Sequence, residues 1–96
     1  MTMDIERADI VISLNGRDAG KRFYVLDVRD GYALLCDGKT RRVEKPKRKK
    51  LRHLRFDSTD SSRIAMKIRN GEKVNNSEIR RSLAEILSAA VEKGGM

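Results

Sequence analysis

The densest chemistry in this sequence is positive charge. Six of the eight residues from Lys45 to Arg52 are lysine or arginine. An arginine guanidinium can bind two phosphate oxygens at once, and a lysine ammonium acts as a mobile point charge, so this segment is suited to hold a polyanion. Residues 41 to 55 contain nine basic residues and one acid, Glu44, whereas the rest of the chain has 13 of each sign. The whole net charge of +8 therefore lies in this one stretch, which predicts a polyanionic partner.

Other residues that could carry chemistry are few. His53 is the only histidine and lies within the basic segment, where we expect a phosphate contact or an ordinary surface position. Cys36 is the only cysteine, so no intramolecular disulfide can form, and its apolar neighbours predict a small core residue. These two residues cannot form a cysteine-rich zinc site, and the sequence has no P-loop, paired-carboxylate or nucleophile motif. The sequence therefore predicts a binding protein without catalytic residues, metal or cofactor.

Length and composition predict one small soluble domain. The chain has 96 residues, of which 39% are hydrophobic and 38% are charged, against about 25% charged residues in an ordinary domain. The start, MTMDIERADI, has acids where a secretory signal has basic residues, and no window approaches the length of a membrane-spanning apolar run. We therefore expect a cytoplasmic protein that does not enter a membrane, and we expect a monomer.

The first half of the chain alternates β-forming runs with turn signals. The runs are DIVISL (9–14), RFYVLDVR (22–29), YALLC (32–36) and KTRRVEK (39–45), and Leu54 and Phe56 indicate a short fifth strand. Asp-Gly pairs at 30–31 and 37–38 separate the middle runs, and such pairs are typical of type I′ hairpin turns. Five short strands in so short a segment favour a small, highly curved barrel. The basic residues from Lys45 to Arg52 would then form a loop held at both ends by strands.

The second half of the chain predicts two helices. Residues 57–62 form a polar linker with several N-cap candidates, and RIAMKIRNG (63–71) predicts a short helix that ends at its Asn-Gly pair. A longer helix follows, where an asparagine at 75 or 76 can act as N-cap and Glu78 completes a capping box with Asn75. We expect its apolar stripe to pack on the sheet or on the first helix, and packing on a partner is the alternative. The stripe consists of Ile79, Leu83, Ile86, Leu87, Ala90 and Val91, and Gly94-Gly95 is the predicted stop.

The segment IVISLNGRDAGKRFYVLDVRDGYALLC (10–36) resembles a KOW motif, a 27-residue pattern of alternating apolar and polar residues with a central glycine, here Gly20. Gly16 and Gly20 would be the turn glycines of the loop after the first strand. EKPKRKKLRHL and NGEKVNNSEIRRSLAE extend the resemblance, over roughly residues 8–92, to small bacterial KOW-domain RNA-binding proteins, which are similar to eukaryotic and archaeal large-subunit ribosomal proteins. The resemblance implies a mostly β fold with C-terminal helices: an SH3-like five-stranded barrel over 8–56, then a linker and two helices over 57–96. It also implies RNA binding and ribosome association, and no enzymatic activity.

The residue types favour recognition of structured RNA through its backbone and shape, because base stacking needs exposed aromatic residues. The chain has four aromatic residues and no tryptophan. We expect Phe23, Tyr24 and Phe56 in the core, whereas Tyr32 follows a turn and could stack on a base. The expected partners are RNA, above all large-subunit ribosomal RNA, and ribosomal proteins. The alternatives are an SH3-like protein-interaction module of the transcription or translation machinery and non-specific binding to duplex DNA. The predicted RNA-binding residues are Arg17, Lys21, Arg22, Arg41, Arg42, Lys45, Lys47, Arg48, Lys49, Lys50, Arg52 and His53.

Overall fold

The computed structural model describes residues 5 to 94, with side chains up to residue 88. It contains five strands, one short 3₁₀ helix and two α-helices. The strands are β1 (Asp9–Ser13), β2 (Arg22–Arg29), β3 (Tyr32–Cys36), β4 (Lys47–Lys50) and β5 (Leu54–Thr59). The 3₁₀ helix covers Leu51–His53, and the α-helices are α1 (Arg63–Arg69) and α2 (Asn76–Gly94). The predicted mostly β fold with two C-terminal helices is confirmed.

All strands belong to one antiparallel sheet with the order β4-β3-β2-β1-β5. β2 and β3 have the bounds that the sequence predicts, and the turn between them has positive φ at Asp30 (49°) and Gly31 (80°). Two successive residues with positive φ are what a type I′ turn requires, so this predicted hairpin is confirmed.

The sheet is strongly curved, because its two edge strands are consecutive in the chain. In a flat sheet β4 and β5 would lie about 19 Å apart, at roughly 4.8 Å per strand. The connection from Lys50 to Leu54 spans at most about 14 Å when fully extended, and here it is a compact 3₁₀ turn. Its ends are bonded to the sheet: Leu51 N–H donates to Gly31 O (2.9 Å), and Leu14 N–H donates to His53 O (3.0 Å). Among the described residues β4 and β5 form no strand pair, so the curved sheet is open between them.

Each face of the sheet contributes side chains to its own apolar cluster. On one face, Ile10 and Tyr24 pack with Ala65 of α1 and with Ile79 and Leu83 of α2. The concave face is filled by a second cluster, to which every strand except β4 contributes a buried side chain. β1 is therefore buried on both sides, which is why Ile10, Val11 and Ile12 are all buried. The members of the second cluster are Ile5, Val11, Phe23, Val25, Ala33, Leu35 and Leu54.

Both helices begin at the caps that the sequence predicts. The Ser62 hydroxyl accepts from Ala65 N–H at the start of α1. At the start of α2, Asn75 Oδ1 accepts from Glu78 N–H (2.8 Å), and Glu78 Oε1 accepts from Asn75 N–H (3.0 Å). This reciprocal pair is a capping box, as predicted.

The apolar stripe of α2 packs internally over the part of the helix with described side chains. Ile79 and Leu83 are buried and Ile86 is half-buried, whereas Leu87 is 36% exposed. The side chains of Ala90 and Val91 lie outside the described residues, and so does Gly95 of the predicted stop, whereas α2 is described as far as Gly94.

The predicted fourth strand at 39–45 is wrong, and so is the predicted hairpin turn at Asp37-Gly38. Side chains bind the backbone donors that a strand would use: Asp37 Oδ1 accepts from Lys39 N–H (2.9 Å) and Arg41 N–H (2.8 Å). Asn76 Oδ1 at the start of α2 then accepts from Val43 N–H (2.8 Å). The segment is consequently a loop that packs on the N-terminus of α2.

The predicted basic loop from Lys45 to Arg52 is also wrong in part, because Lys47–Lys50 form β4, the edge strand that pairs with β3. β5 continues to Thr59, so the predicted linker begins later than residue 57. The predicted domain boundary after residue 56 therefore falls inside a strand. No helix between residues 5 and 94 is long and apolar enough to cross a membrane.

Candidate nucleic-acid interface

The cations of β4 are divided between its two faces, because side chains alternate along a strand. Lys47 and Lys49 pair in register with Leu35 and Ala33, two buried residues of the concave face. Arg48 and Lys50 pair with Leu34 and Tyr32 on the opposite face, and both basic residues are exposed. The edge strand thus presents Arg48 and Lys50 to solvent and turns the other two basic residues toward the body of the protein.

Lys49 is bound internally. Its ammonium donates to Ser13 Oγ (2.6 Å) and to Asn15 O (2.7 Å), which lie at the end of β1 and in the following loop. The side chain of Lys49 therefore spans from one edge of the sheet to β1, and its methylene groups run along the concave face. Although it was predicted to bind RNA, Lys49 has a structural role in this arrangement.

Arg48 stacks on Tyr32. The guanidinium carbon lies 3.9 Å from the ring centroid, which is a cation–π contact. The stacked guanidinium covers one face of the ring, so a base could stack only on the other face of Tyr32 or on the guanidinium itself. The contact also holds the guanidinium in place, so its outward N–H groups are oriented before any ligand arrives.

Lys50, Arg52 and Arg55 form a second group of exposed cations beside Arg48. They lie around the connection between β4 and β5 and line one surface cavity. Among the residues with described side chains, none of these four cations forms an ion pair with a carboxylate. Their charge is therefore available to a ligand.

A third group of cations surrounds Asp18 in the loop between β1 and β2. Arg41 donates to Asp18 Oδ2 (2.9 Å), and Lys21 lies 3.8 Å from the same carboxylate. The hydrogen bond from Arg41 holds the pKa of Asp18 below its ordinary value, with further lowering from the charges of Lys21 and Lys47. This ion-pair cluster ties the loop after β3 to the loop after β1 and leaves a net positive charge.

The remaining predicted RNA-binding residues differ in whether a carboxylate is paired with them. Arg22 is paired with Asp57 (3.2 Å), and Arg42 lies 3.8 Å from Glu44. Arg17 and Lys45 are exposed, and the described side chains include no ion-pair partner for either. His53 is half-buried in the 3₁₀ turn. Gly16 (φ 78°) and Gly20 (φ 85°) both have positive φ, and Gly20 N–H donates to Ser13 O (2.7 Å).

Sequence reasoning did not place Arg55 among the site residues, although it belongs to the same basic segment. Arg55 lies on β5, and only the short connection between the two edge strands brings it beside Lys50 and Arg52. Period-two alternation between Leu54 and Phe56 could have indicated that Arg55 is exposed, since Phe56 was predicted to lie in the core and Arg55 is on the other face of the strand.

Two other polar or reactive groups are structural. Tyr24 is buried and its hydroxyl lies 2.6 Å from both Asp60 Oδ2 and Ser82 Oγ, and burial raises its pKa. Cys36 is fully buried, as predicted, and burial raises the pKa of its thiol to about 12, so it is a thiol and not a thiolate at neutral pH. Among the described residues, no three histidine, cysteine or acidic side chains are placed to hold a metal ion.

No protein-family model matches this chain, and no curated protein is significantly similar to it. The residues and their geometry are therefore the basis for any functional assignment, and the resemblance to KOW proteins remains a hypothesis.

Proposed function

We propose that the protein binds structured RNA through the exposed cations of β4, the 3₁₀ turn and β5, and that large-subunit ribosomal RNA is its target. The observation that carries the proposal is the group of four exposed cations without a carboxylate partner, namely Arg48, Lys50, Arg52 and Arg55. A protein that used these charges only for internal ion pairs would pair them with carboxylates, and none of the ion pairs between described side chains includes any of the four.

The scaffold supports this proposal because it holds the cations in place. Lys50 is in a paired strand, Arg52 is in a turn bonded at both ends, and Arg55 is in a second paired strand. Binding through cations on ordered backbone costs less conformational entropy than binding through a free basic tail. The cations around Asp18 add to the positive charge of the surface, and Arg17 and Lys45 are two further exposed cations in the loops after β1 and β3.

We further propose that the curved sheet is an SH3-like barrel of the KOW type. The order β4-β3-β2-β1-β5 and the short connection between its edges support a barrel-like arrangement, and the positive φ of Gly20 supports the role given to it from the sequence. A cytoplasmic location and the absence of catalytic activity belong to the same proposal.

The test is cosedimentation with large ribosomal subunits, together with fluorescence anisotropy on a fragment of structured ribosomal RNA. The charge-reversal variant Arg48→Glu/Lys50→Glu/Arg52→Glu should lose binding in both assays. A matched control is Arg63→Glu/Lys73→Glu/Arg81→Glu, which reverses three exposed basic residues of the helical half. Lys49 is left unchanged because it is bound internally.

The control should retain most of the affinity for RNA. The proposal is refuted when the triple variant, folded as judged by circular dichroism, still binds as well as the control. In that case the alternative, a protein-interaction module, would be favoured. Equal affinity for random duplex DNA and structured RNA at the same salt concentration would instead favour non-specific DNA binding.

A further inference from the structure

One surface cavity lies where the two edges of the sheet approach each other. It has a volume of about 670 Å³, which is within the range of pockets that hold small ligands. Its walls come from the β2–β3 turn, the end of β4, the 3₁₀ turn, β5 and the N-terminal segment. The lining residues are Ile5, Asp30, Gly31, Tyr32, Lys50, Leu51, Arg52, Leu54, Arg55 and Phe56.

The interior of this cavity is apolar. Leu54 is buried, and Leu51 and Phe56 are half-buried and pack against the apolar cluster of the concave face. Phe56 is the one aromatic residue among these three, and Val11 is its register partner on the neighbouring strand. Because the sheet is open between β4 and β5, these side chains line the cavity at the unpaired edge and are not covered by another strand.

The rim of the cavity is positively charged. Lys50, Arg52 and Arg55 are exposed and lack ion-pair partners among the described side chains, and Asp30 is the only acid in the lining. An apolar surface with an aromatic ring, bordered by three cations and one carboxylate, is complementary to a nucleotide, which combines a flat base with an anionic phosphate.

We propose that this cavity binds one unpaired nucleotide of the RNA, with its base against Phe56 and Leu51 and its phosphates on Lys50, Arg52 and Arg55. Base amino groups are hydrogen-bond donors, and Asp30 in the lining supplies a carboxylate that can accept from one. The inference rests on the proposed RNA binding and adds that the recognised RNA contains an unstacked nucleotide beside a helix. An acidic peptide is the competing occupant, and the test separates the two.

The test uses two RNA hairpins that differ only by one bulged nucleotide, and the full-length protein. We expect tighter binding to the bulged hairpin, and we expect Phe56→Leu to lower that affinity by about 5- to 150-fold, the effect of losing one base–aromatic stack. Affinity for the fully paired hairpin should be unchanged. Phe56→Tyr keeps the ring and should preserve the preference for the bulged hairpin.

A measurement on the wild-type protein covers the case in which Phe56→Leu fails to fold. In NMR spectra, the methyl resonances of Leu51 and Leu54 should shift with the bulged hairpin and not with the paired one. Equal binding of both hairpins, with no methyl shift, would overturn this inference and leave the proposed RNA binding intact. Failure to bind either hairpin would overturn both. Displacement of the bulged hairpin by an acidic peptide that shifts the same methyl resonances more strongly would overturn the nucleotide assignment in favour of a protein ligand.

Discussion

Lys49 and Lys50 are adjacent in the sequence, and the structure predicts opposite effects when each is replaced by methionine. Lys49 donates two internal hydrogen bonds, at 2.6 and 2.7 Å, and one acceptor, the Ser13 hydroxyl, is only 1% exposed. Lys50 is exposed on the other face of β4 and forms no ion pair with a described side chain. Methionine preserves the length of the apolar stem in both variants, so only the ammonium is removed.

For Lys49→Met we expect a loss of about 1–2 kcal/mol in the free energy of unfolding, since each net hydrogen bond contributes about 0.5–1.5 kcal/mol and the ammonium keeps some access to water. In a domain of this size that loss lowers the melting temperature by roughly 4–15 °C. Its RNA affinity, measured where the protein is folded, should change by less than about twofold, because the internally hydrogen-bonded ammonium is not expected to contact a phosphate.

For Lys50→Met we expect unfolding free energy within about 0.5 kcal/mol of the wild type, as for most surface substitutions. RNA affinity should fall, and the slope of log K against log salt should become shallower by about 0.7–0.9, the contribution of one phosphate contact. Thermal unfolding and anisotropy titrations at four salt concentrations measure both quantities. A Lys49→Met variant that is fully stable but has lost RNA affinity would refute the division of β4 into a structural and a binding face.

Three further predictions concern stability. Tyr24→Phe should lower the free energy of unfolding by about 1–3 kcal/mol in chemical denaturation, because it leaves a buried serine hydroxyl without this partner. Gly20→Ala should cost about 1–2 kcal/mol for its positive φ alone, since open space surrounds the position, whereas Gly38→Ala should cost more because its Cβ would collide with the first backbone carbonyl of α2. The hydrogen bond from Arg41 lowers the pKa of Asp18, so the stability that this ion pair provides is present above pH 4 and is lost as the pH falls through the folded pKa of Asp18. The free energy of unfolding of Asp18→Asn should therefore fall less steeply on acidification than that of the wild type. An equally steep fall in both proteins would contradict the ion pair.

Local signals in the sequence were sufficient for most of the elements. β2 and β3 follow from β-forming residues around an Asp-Gly pair, and α2 follows from its capping box and its apolar stripe. In these segments the preferences of neighbouring residues and the final hydrogen bonds agree, so no contact between distant parts of the chain was needed to choose the structure.

The position of the fourth strand could not be read from the sequence, because distant contacts decide it. Val43 lies in a run that looks like a strand, but its N–H binds Asn76, which lies 33 positions later in the chain. The true strand, KRKK, has no apolar alternation, and lysine has a low preference for strands. Lys47–Lys50 nevertheless form a strand because β3 offers a free edge, and edge strands tolerate lysines that a central strand would exclude.

The sequence did not show which of the predicted RNA-binding cations have an acid partner in the fold. Arg22 and Arg41 appeared equivalent to the other cations, yet each is held by an aspartate 35 or 23 positions away. Charge counting along the sequence treats all cations alike, whereas the fold brings a carboxylate close to some of them and not to others. The cavity beside β5 was also absent from the prediction, since it is formed by two strands at opposite ends of the sheet order.

The lysines and arginines of β4 have a second interpretation, in which they only protect an exposed sheet edge from pairing with other chains. One or two charges on the strand would be enough for that purpose, and the cations would end where the strand ends. Here they continue through the 3₁₀ turn as Arg52 and onto the opposite edge strand as Arg55. Edge protection does not account for charges that border an apolar cavity, whereas binding of an anionic ligand across both edges does.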